Sequence, residues 1–260
     1  MRYYVPDIRL PAEARRPEPG LLASLFGRKP PTVLEKLGGC PDGLPPDLWP
    51  RCAQCGRSQS FLGQLTHASG RLDLKGPGRV LYMFRCAWEE APCDTWTGAG
   101  GASRAFVVES RTLTGQPTPP PADDPPRDNE VIIVAWQARD DGVPATLAPA
   151  FYDEESWLDL DDDLTAGVSM STKLGSVPSW VQSPNDMPKP NWRFVGQLDC
   201  QLAFVTPPQT KVPWVSVSDD IPGGFAALGD GSNFGDGGTA YIFLRDNAGL
   251  PEASLIVQGH

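Results

Sequence analysis

The pentapeptide FLGQL at residues 61–65 returns in the second half of the chain as FVGQL at residues 194–198. Two more pairs of similar segments follow the same order: KLGGCP at 36–41 with KLGSVP at 173–178, and GRVLYMF at 78–84 with GGTAYIF at 237–243. Three matches in one order predict an internal duplication, and two copies are too few for a solenoid. Because each copy has one apolar sheet face to bury, we expect two pseudo-symmetric β repeats that pack against each other.

Each repeated pentapeptide carries a glutamine between apolar residues, Gln64 in the first copy and Gln197 in the second. A buried side-chain amide needs hydrogen-bond partners. We therefore expect both glutamines to bind backbone groups of the sister repeat, with a role in ligand binding as the alternative.

The composition favours short strands over long helices, because 29 proline and 27 glycine residues punctuate the 260-residue chain. Segments rich in β-branched and aromatic residues predict strands at 60–65, 79–84, 105–108 and 131–136. A short acidic helix is predicted at 154–164, with its apolar side chains turned inward: Trp157, Leu158, Leu160 and Leu164. One helical turn is predicted at 21–26, ending at Gly27.

The predicted fold class is mainly β (α+β with minor helix), with the two β repeats packed as one globular unit. We divide the chain into an N-terminal extension (1–34), a first β repeat with a four-cysteine zinc site (35–112), a Pro-rich acidic connection with a strand and a short helix (113–172), and a second β repeat (173–260).

The charge is concentrated in the connection. Residues 113–172 hold thirteen acidic and two basic residues, a net charge of −11, whereas the whole chain carries −10. Such a segment repels a phosphate backbone, so we expect no direct nucleic-acid partner. It is either a solvated linker or a surface that attracts a basic protein. The candidate protein-binding residues are Asp153, Glu154, Glu155, Asp159, Asp161, Asp162 and Asp163.

Four of the six cysteines have the pattern of a metal site. Cys52 and Cys55 form a C-x-x-C-G-R motif with the geometry of a zinc knuckle, in which the following glycine permits a positive φ. Cys86, after a predicted strand, and Cys93 can complete a tetrahedral set. We predict a structural zinc ion held by these four thiolates in a zinc-ribbon-like insertion, with free thiols or a redox pair as alternatives. A site closed by four protein ligands stabilises the fold and does not catalyse.

Catalytic motifs are scarce in the sequence. The chain contains no P-loop motif and no dinucleotide-binding glycine motif between a predicted strand and helix. One of its two histidines is the last residue, and the other, His67, lies in a predicted polar turn. The exposed carboxylates at 159–163 have no environment that would separate two pKa values for acid–base work. The eight tryptophans either belong to the core or form an aromatic groove for a peptide or a sugar.

No apolar window is long enough for a membrane span, and the first seven residues, MRYYVPD, lack the apolar core of a secretory signal. We therefore expect no membrane association and a cytoplasmic protein with reduced cysteines.

The repeated segments, with LP at 44–45 and WP at 49–50, resemble the YwqG-like bacterial domain over roughly residues 35–245. The first half is also similar to the programmed cell death protein 2 family, which has a C-x-x-C-G-R motif, then an F-L-x-Q strand, then further cysteines. The matching residues, in order, are Cys52, Cys55, Gly56, Arg57, Phe61, Leu62, Gln64 and Cys86, with Cys93 aligned less firmly.

The first resemblance implies no established activity. The second implies a dedicated chaperone for a basic small-subunit ribosomal protein, although the second half lacks that family's additional cysteines. We therefore expect a non-enzymatic protein-binding module, a chaperone or escort for a basic client such as a ribosomal protein. The alternatives are a toxin-neutralising immunity-type protein and a hydrolase or carbohydrate-binding domain.

Overall fold

The computed structural model describes residues 1–14, 33–90, 93–188, 191–217 and 224–259. The predicted helical turn at 21–26 lies outside these ranges. The strands of the first half of the chain are β1 (Arg2–Arg9), β2 (Lys36–Leu37), β3 (Ser60–Thr66), β4 (Arg79–Arg85), β5 (Ser103–Glu109) and β6 (Val131–Asp140). Those of the second half are β7 (Lys173–Gly175), β8 (Arg193–Asp199), β9 (Gln201–Phe204), β10 (Val215–Val217), β11 (Ala227–Asp230), β12 (Thr239–Arg245) and β13 (Glu252–Gln258). Two short α-helices are described, α1 (Glu154–Leu158) and α2 (Asp162–Ala166).

Ten of these strands close into an antiparallel barrel in the order β1-β6-β2-β3-β4-β5-β13-β12-β8-β7, with β7 returning to β1. The other three form a small sheet in the order β10-β11-β9. The prediction of a mainly β fold is thereby confirmed. Closure gives every barrel strand a neighbour on both sides, although β5 and β13 are paired with each other only at Ala105 and Ala253.

The two halves of the barrel meet edge to edge, not face to face as the sequence analysis expects. Strands β2 to β6 are contiguous on one side, and β13, β12, β8, β7 and β1 are contiguous on the other. The halves join at the long β1–β6 ladder and at the β5–β13 contact. Each sheet therefore buries one face inside a shared barrel, and neither half has to cover the face of the other.

The four predicted strands lie within β3, β4, β5 and β6. The sequence analysis predicts no strand in the N-terminal extension (1–34), but β1 lies there. Pro6 lies in the middle of this strand, and a proline within an extended run argues against a strand because it cannot donate a hydrogen bond to the ladder. In the fold Pro6 lies opposite Trp136, next to a register shift between Asp7 and Ile8.

Both faces of the sheet are covered. In β4, Leu81 and Met83 belong to the large apolar core that fills the barrel. The alternate residues Tyr82 and Phe84 belong to a second cluster on the outer face, where the rings of Phe84 and Phe106 stack 5.9 Å apart. Full coverage explains why β4 reads as a continuous apolar run.

The two repeated glutamines are fully buried and make matching hydrogen bonds. Gln64 Oε1 accepts from the backbone N–H of Asp42 (2.8 Å), and its Nε2 donates to the carbonyl of Leu34 (2.8 Å). Gln197 Oε1 accepts from the N–H of Ser179 (3.0 Å), and its Nε2 donates to the carbonyl of Met170 (2.9 Å). The partners belong to the same half as each glutamine, so the expected contact with the sister repeat is wrong.

The acidic connection forms two five-residue helices instead of one longer helix. Trp157, Leu160 and Leu164 pack against a small apolar cluster that contains Phe151. Leu158, which was predicted to face inward, has 69% of its surface exposed. Leu158 directly follows Trp157 in α1, so about 100° of helical rotation separates the two side chains and only Trp157 faces the cluster. Within the described ranges, the helices lack the length and apolar character needed to cross a membrane.

Candidate metal centre

The first arm of the centre is a tight turn between β2 and β3. The N–H of Cys52 donates to the carbonyl of Arg57 (2.8 Å), and the N–H of Gly56 donates to the carbonyl of Cys52 (2.9 Å). Gly56 adopts a φ of +74°, which an L-residue with a side chain rarely adopts. This turn brings the sulfur atoms of Cys52 and Cys55 to the same side of the chain.

The second arm is the connection between β4 and β5. Cys86 directly follows β4, and its N–H donates to the carbonyl of Ala102 (2.7 Å) at the far end of the connection. Gln54 ties the two arms together, because its Oε1 accepts from the N–H of Asp94 (2.8 Å) and its Nε2 donates to the carbonyl of Gly100 (3.1 Å). These bonds fix Cys93 beside the first arm.

The four predicted ligands are brought together. The Sγ atoms of Cys52, Cys55, Cys86 and Cys93 all lie within 4.8 Å of one another, and those of Cys55 and Cys86 are 3.7 Å apart. A tetrahedral site with metal–sulfur distances of about 2.3 Å needs sulfur–sulfur distances of about 3.8 Å. Cys52 and Cys86 are buried, whereas Cys55 and Cys93 are half-buried. The cluster can therefore hold a metal ion.

The thiols differ in how readily they ionise. Burial raises the pKa of Cys86, and burial raises the pKa of Cys93 to about 11. Burial also opposes ionisation of Cys55, but the hydrogen bond from the backbone of Arg57 and the bonds with neighbouring thiols outweigh it and lower the pKa of Cys55. Because a metal binds the thiolate form, its binding here must release protons, and the affinity must rise with pH.

Trp88 and Arg57 pack beside the cluster, and sequence reasoning gave neither of them this role. The indole of Trp88 packs against the cysteines and donates from Nε1 to the carbonyl of Ser58 (2.8 Å). The guanidinium of Arg57 lies 4.7 Å from the centre of this ring and pairs with Glu90 (2.8 Å). Trp88 thus covers one side of the cluster, and Arg57 lies on the outer face of the indole. Two features of the sequence could have indicated these contacts: the arginine of the C-x-x-C-G-R motif and the tryptophan two residues after Cys86.

The arm that carries Cys93 also reaches the other half of the barrel. A methyl group added at Gly235 or at Gly259 would come within 2.6 Å or 3.0 Å of the ring of Trp96. Added at Gly98, it would come within 2.3 Å of the hydroxyl of Ser254 on β13. The segment after Cys93 is therefore packed between the candidate metal centre and the second half.

The predicted acidic residues lie elsewhere, in and around α1 and α2. All seven are exposed: Asp153, Glu154, Glu155, Asp159, Asp161, Asp162 and Asp163. Two of them also stabilise the helices. Asp153 accepts from the N–H of Ser156 at the start of α1, and Asp161 accepts from the N–H of Asp163 at the start of α2.

Comparisons of the chain with protein-family models, with curated protein sequences and with solved structures found no match.

Proposed function

We propose that the protein is a non-catalytic protein-binding module of the cytoplasm, in which a structural zinc ion stabilises the fold and the acidic connection holds a basic protein client. The four clustered cysteines carry the zinc part of the proposal, and the exposed carboxylates of α1 and α2 carry the client part.

Zinc is the ion that best suits the donor set. Four thiolates in a tetrahedral arrangement select zinc or iron among the common metals, and zinc needs no redox chemistry. Four protein ligands leave no position for a water molecule or a substrate. We therefore assign the ion a structural role, as the link between the β2–β3 and β4–β5 connections. A reducing compartment keeps the cysteines available as ligands.

The client part rests on charge and exposure. The connection carries a net charge of −11, and its acidic side chains around α1 and α2 point into solvent. Leu158 adds an exposed apolar side chain one helical turn after Glu154 and Glu155. A segment with basic residues around an apolar one complements this surface, and we infer that the client is such a basic protein, for example a ribosomal protein.

The two-repeat organisation is part of the same proposal. It is supported by the repeated segments and by their matching positions in the barrel: Lys36 lies opposite Gln64 in the register, as Lys173 lies opposite Gln197. The glutamines and their tyrosine neighbours also make parallel bonds, since Tyr82 Oη donates to the carbonyl of Asp42 (2.7 Å) and Tyr241 Oη to that of Ser179 (2.7 Å). We propose that the fold is a duplicated unit related to the YwqG-like and programmed cell death protein 2 families.

The client proposal is tested by native co-purification at low and moderate salt with mass spectrometry, using a variant that removes charge without unfolding the helices. Asp159, Asp162 and Asp163 are changed to Asn, while the capping residues Asp153 and Asp161 are kept. A matched control removes three exposed carboxylates elsewhere, by Asp→Asn changes at Asp47, Asp230 and Asp236. We expect one basic protein to co-purify with the parent and with the control, to dissociate on raising the salt, and to be lost from the variant. Equal recovery with all three proteins would contradict the proposal.

The metal proposal is tested by elemental analysis of the purified protein. We expect about one zinc per chain, lost in Cys52→Ser and in Cys86→Ser but retained in Cys40→Ser, since Cys40 lies outside the cluster. Iron in place of zinc, or equal metal content in all variants, would refute it.

A further inference from the structure

The junction between β5 and β13 is the weakest seam of the barrel. Each of these seven-residue strands is paired along its whole length on its other side, β5 with β4 and β13 with β12. Between each other they are paired at one position only, Ala105 with Ala253. No second pair between β5 and β13 is described, and the segment at Gly98 lies against β13 at Ser254 and Leu255.

A groove of about 470 Å³ runs along this seam. Its volume is within the range of about 300–1,000 Å³ that is typical of ligand sites. Its lining includes the small residues Ala99, Ala105 and Ala253, which let another backbone approach closely. Trp192 and Leu250 offer an apolar surface at one end. Backbone groups that have no ladder partner, beside small side chains, are the features that a sheet edge presents to an added strand.

The charges in the groove favour a carboxylate in the occupant. Arg104 on β5 is exposed, and it has no ion-pair partner among the residues that the structure describes. Glu252, on the facing strand, is already neutralised by Arg245, whose guanidinium also lies 4.8 Å from the ring centre of Trp192. The groove therefore presents one unpaired positive charge.

We propose that this seam groove binds an extended peptide segment carrying an acidic side chain, which pairs through its backbone with β5 or β13 and places its carboxylate on Arg104. The site is distinct from the acidic connection, and its occupant has the opposite charge to the proposed client.

The test uses immobilised pools of heptapeptides built from Thr, Val and Ser, with the central residue fixed as Glu, Gln or Lys. We expect the purified full-length chain to bind the Glu pool up to about five-fold better than the Gln pool, as for an exposed ion pair, and the Lys pool least. Arg104→Glu is expected to reverse this order, whereas Arg2→Glu, at another exposed arginine, keeps the order of the parent. N-methylation of alternate peptide bonds, which removes backbone donors, is expected to abolish binding.

Equal binding to the three pools, or an Arg104→Glu variant with the parent's preference, would overturn the proposal. The proposal would also be overturned if a soluble oligosaccharide changed the NMR amide signals of β5 and β13 while none of the peptide pools did. The Asn variants of the acidic connection leave Arg104 in place and are expected to bind the Glu pool as the parent does. The peptide-binding experiment can therefore refute the seam-groove proposal without bearing on the client proposal, and the reverse also holds.

Discussion

Replacing Lys173 by Met is expected to stabilise the protein. The side chain is fully buried on β7, and its Nζ has no hydrogen-bond partner among the described residues. The ring centre of Tyr3 lies 5.5 Å from this nitrogen. Burial lowers the pKa of Lys173 from 10.5 to about 7, and the charge of Asp141 opposes this effect only in part. The ammonium form is thus held in a place that does not solvate it.

The size of the effect follows from that pKa change. A difference of about 3.5 pH units between the unfolded and folded states, at about 1.4 kcal/mol per unit, corresponds to ~5 kcal/mol as an upper limit. At or below pH 7 both states bind the proton, so the whole cost is present. Between pH 7 and 10.5 the unfolded state keeps a proton that the native state has lost, so parental stability rises by about 1.4 kcal/mol per pH unit. The advantage of Lys173→Met therefore falls to ~2 kcal/mol at pH 9.

The assay is urea unfolding, followed by tryptophan fluorescence, of parent and variant at pH 6.5 and pH 9. Methionine has a similar length and shape, so the packing should be kept. The matched control is Lys36→Met, at the equivalent register position. Lys36 Nζ lies 3.0 Å from Glu130 and 3.5 Å from Asp42, and its removal leaves two carboxylates without their cation. We expect this control to lose about 1–3 kcal/mol.

The two lysines are thus expected to give opposite signs. A Lys173→Met variant that is less stable than the parent at both pH values would refute the reasoning. A gain that does not shrink between pH 6.5 and pH 9 would refute the assignment of the gain to the buried amine.

Three further predictions concern the repeated positions and the metal. Gln64→Leu is expected to lower the free energy of unfolding by about 1–3 kcal/mol, measured in urea, because the two buried backbone groups that it binds lose their partner. Gly196→Ala places a Cβ within 2.5 Å of the carbonyl oxygen of Lys173, so it should lower the thermal midpoint, whereas Gly249→Ala, with no atom within 4 Å, should not. Removal of the metal with a chelator is expected to speed amide hydrogen exchange at residues 94–101 while β8 and β12 keep their protection; unchanged exchange at 94–101 would contradict the link between this segment and the cysteines.

The sequence was most informative where a local pattern carries the physics. The cysteine cluster could be predicted because a C-x-x-C-G turn places two thiols together whatever surrounds it, and because Cys86 ends an apolar strand. The strands around residues 61–65 and 79–84 were predictable because β-branched and aromatic residues between glycines favour extended backbone.

The closure of the barrel could not be predicted in this way. It depends on a ladder that pairs Arg2 with Asp140, and no local pattern encodes a contact over that distance in the chain. The proline within β1 concealed that strand, and in α1 the cluster around Phe151 takes Trp157 and leaves the adjacent Leu158 exposed. In each case tertiary contacts, and not intrinsic preference, decided the outcome.

The two buried lysines, Lys36 and Lys173, hold equivalent register positions but have different surroundings. Leu37 lies opposite Val131 in the first half, and Leu174 lies opposite Tyr4 in the second. One position further along each antiparallel ladder, Glu130 in the first half corresponds to Tyr3 in the second. The residue whose N–H is bound by the repeated glutamine is Asp42 in one half and Ser179 in the other.

At Lys173, therefore, the positions of both carboxylates that pair with Lys36 are occupied by Tyr3 and Ser179. In the first half the charged pair lines an open cavity of about 400 Å³. In the second half Lys173 is sealed, beside Asp141 and a segment that leads into the acidic helices. A buried amine without a hydrogen-bond partner costs stability, so packing alone does not account for a lysine at position 173.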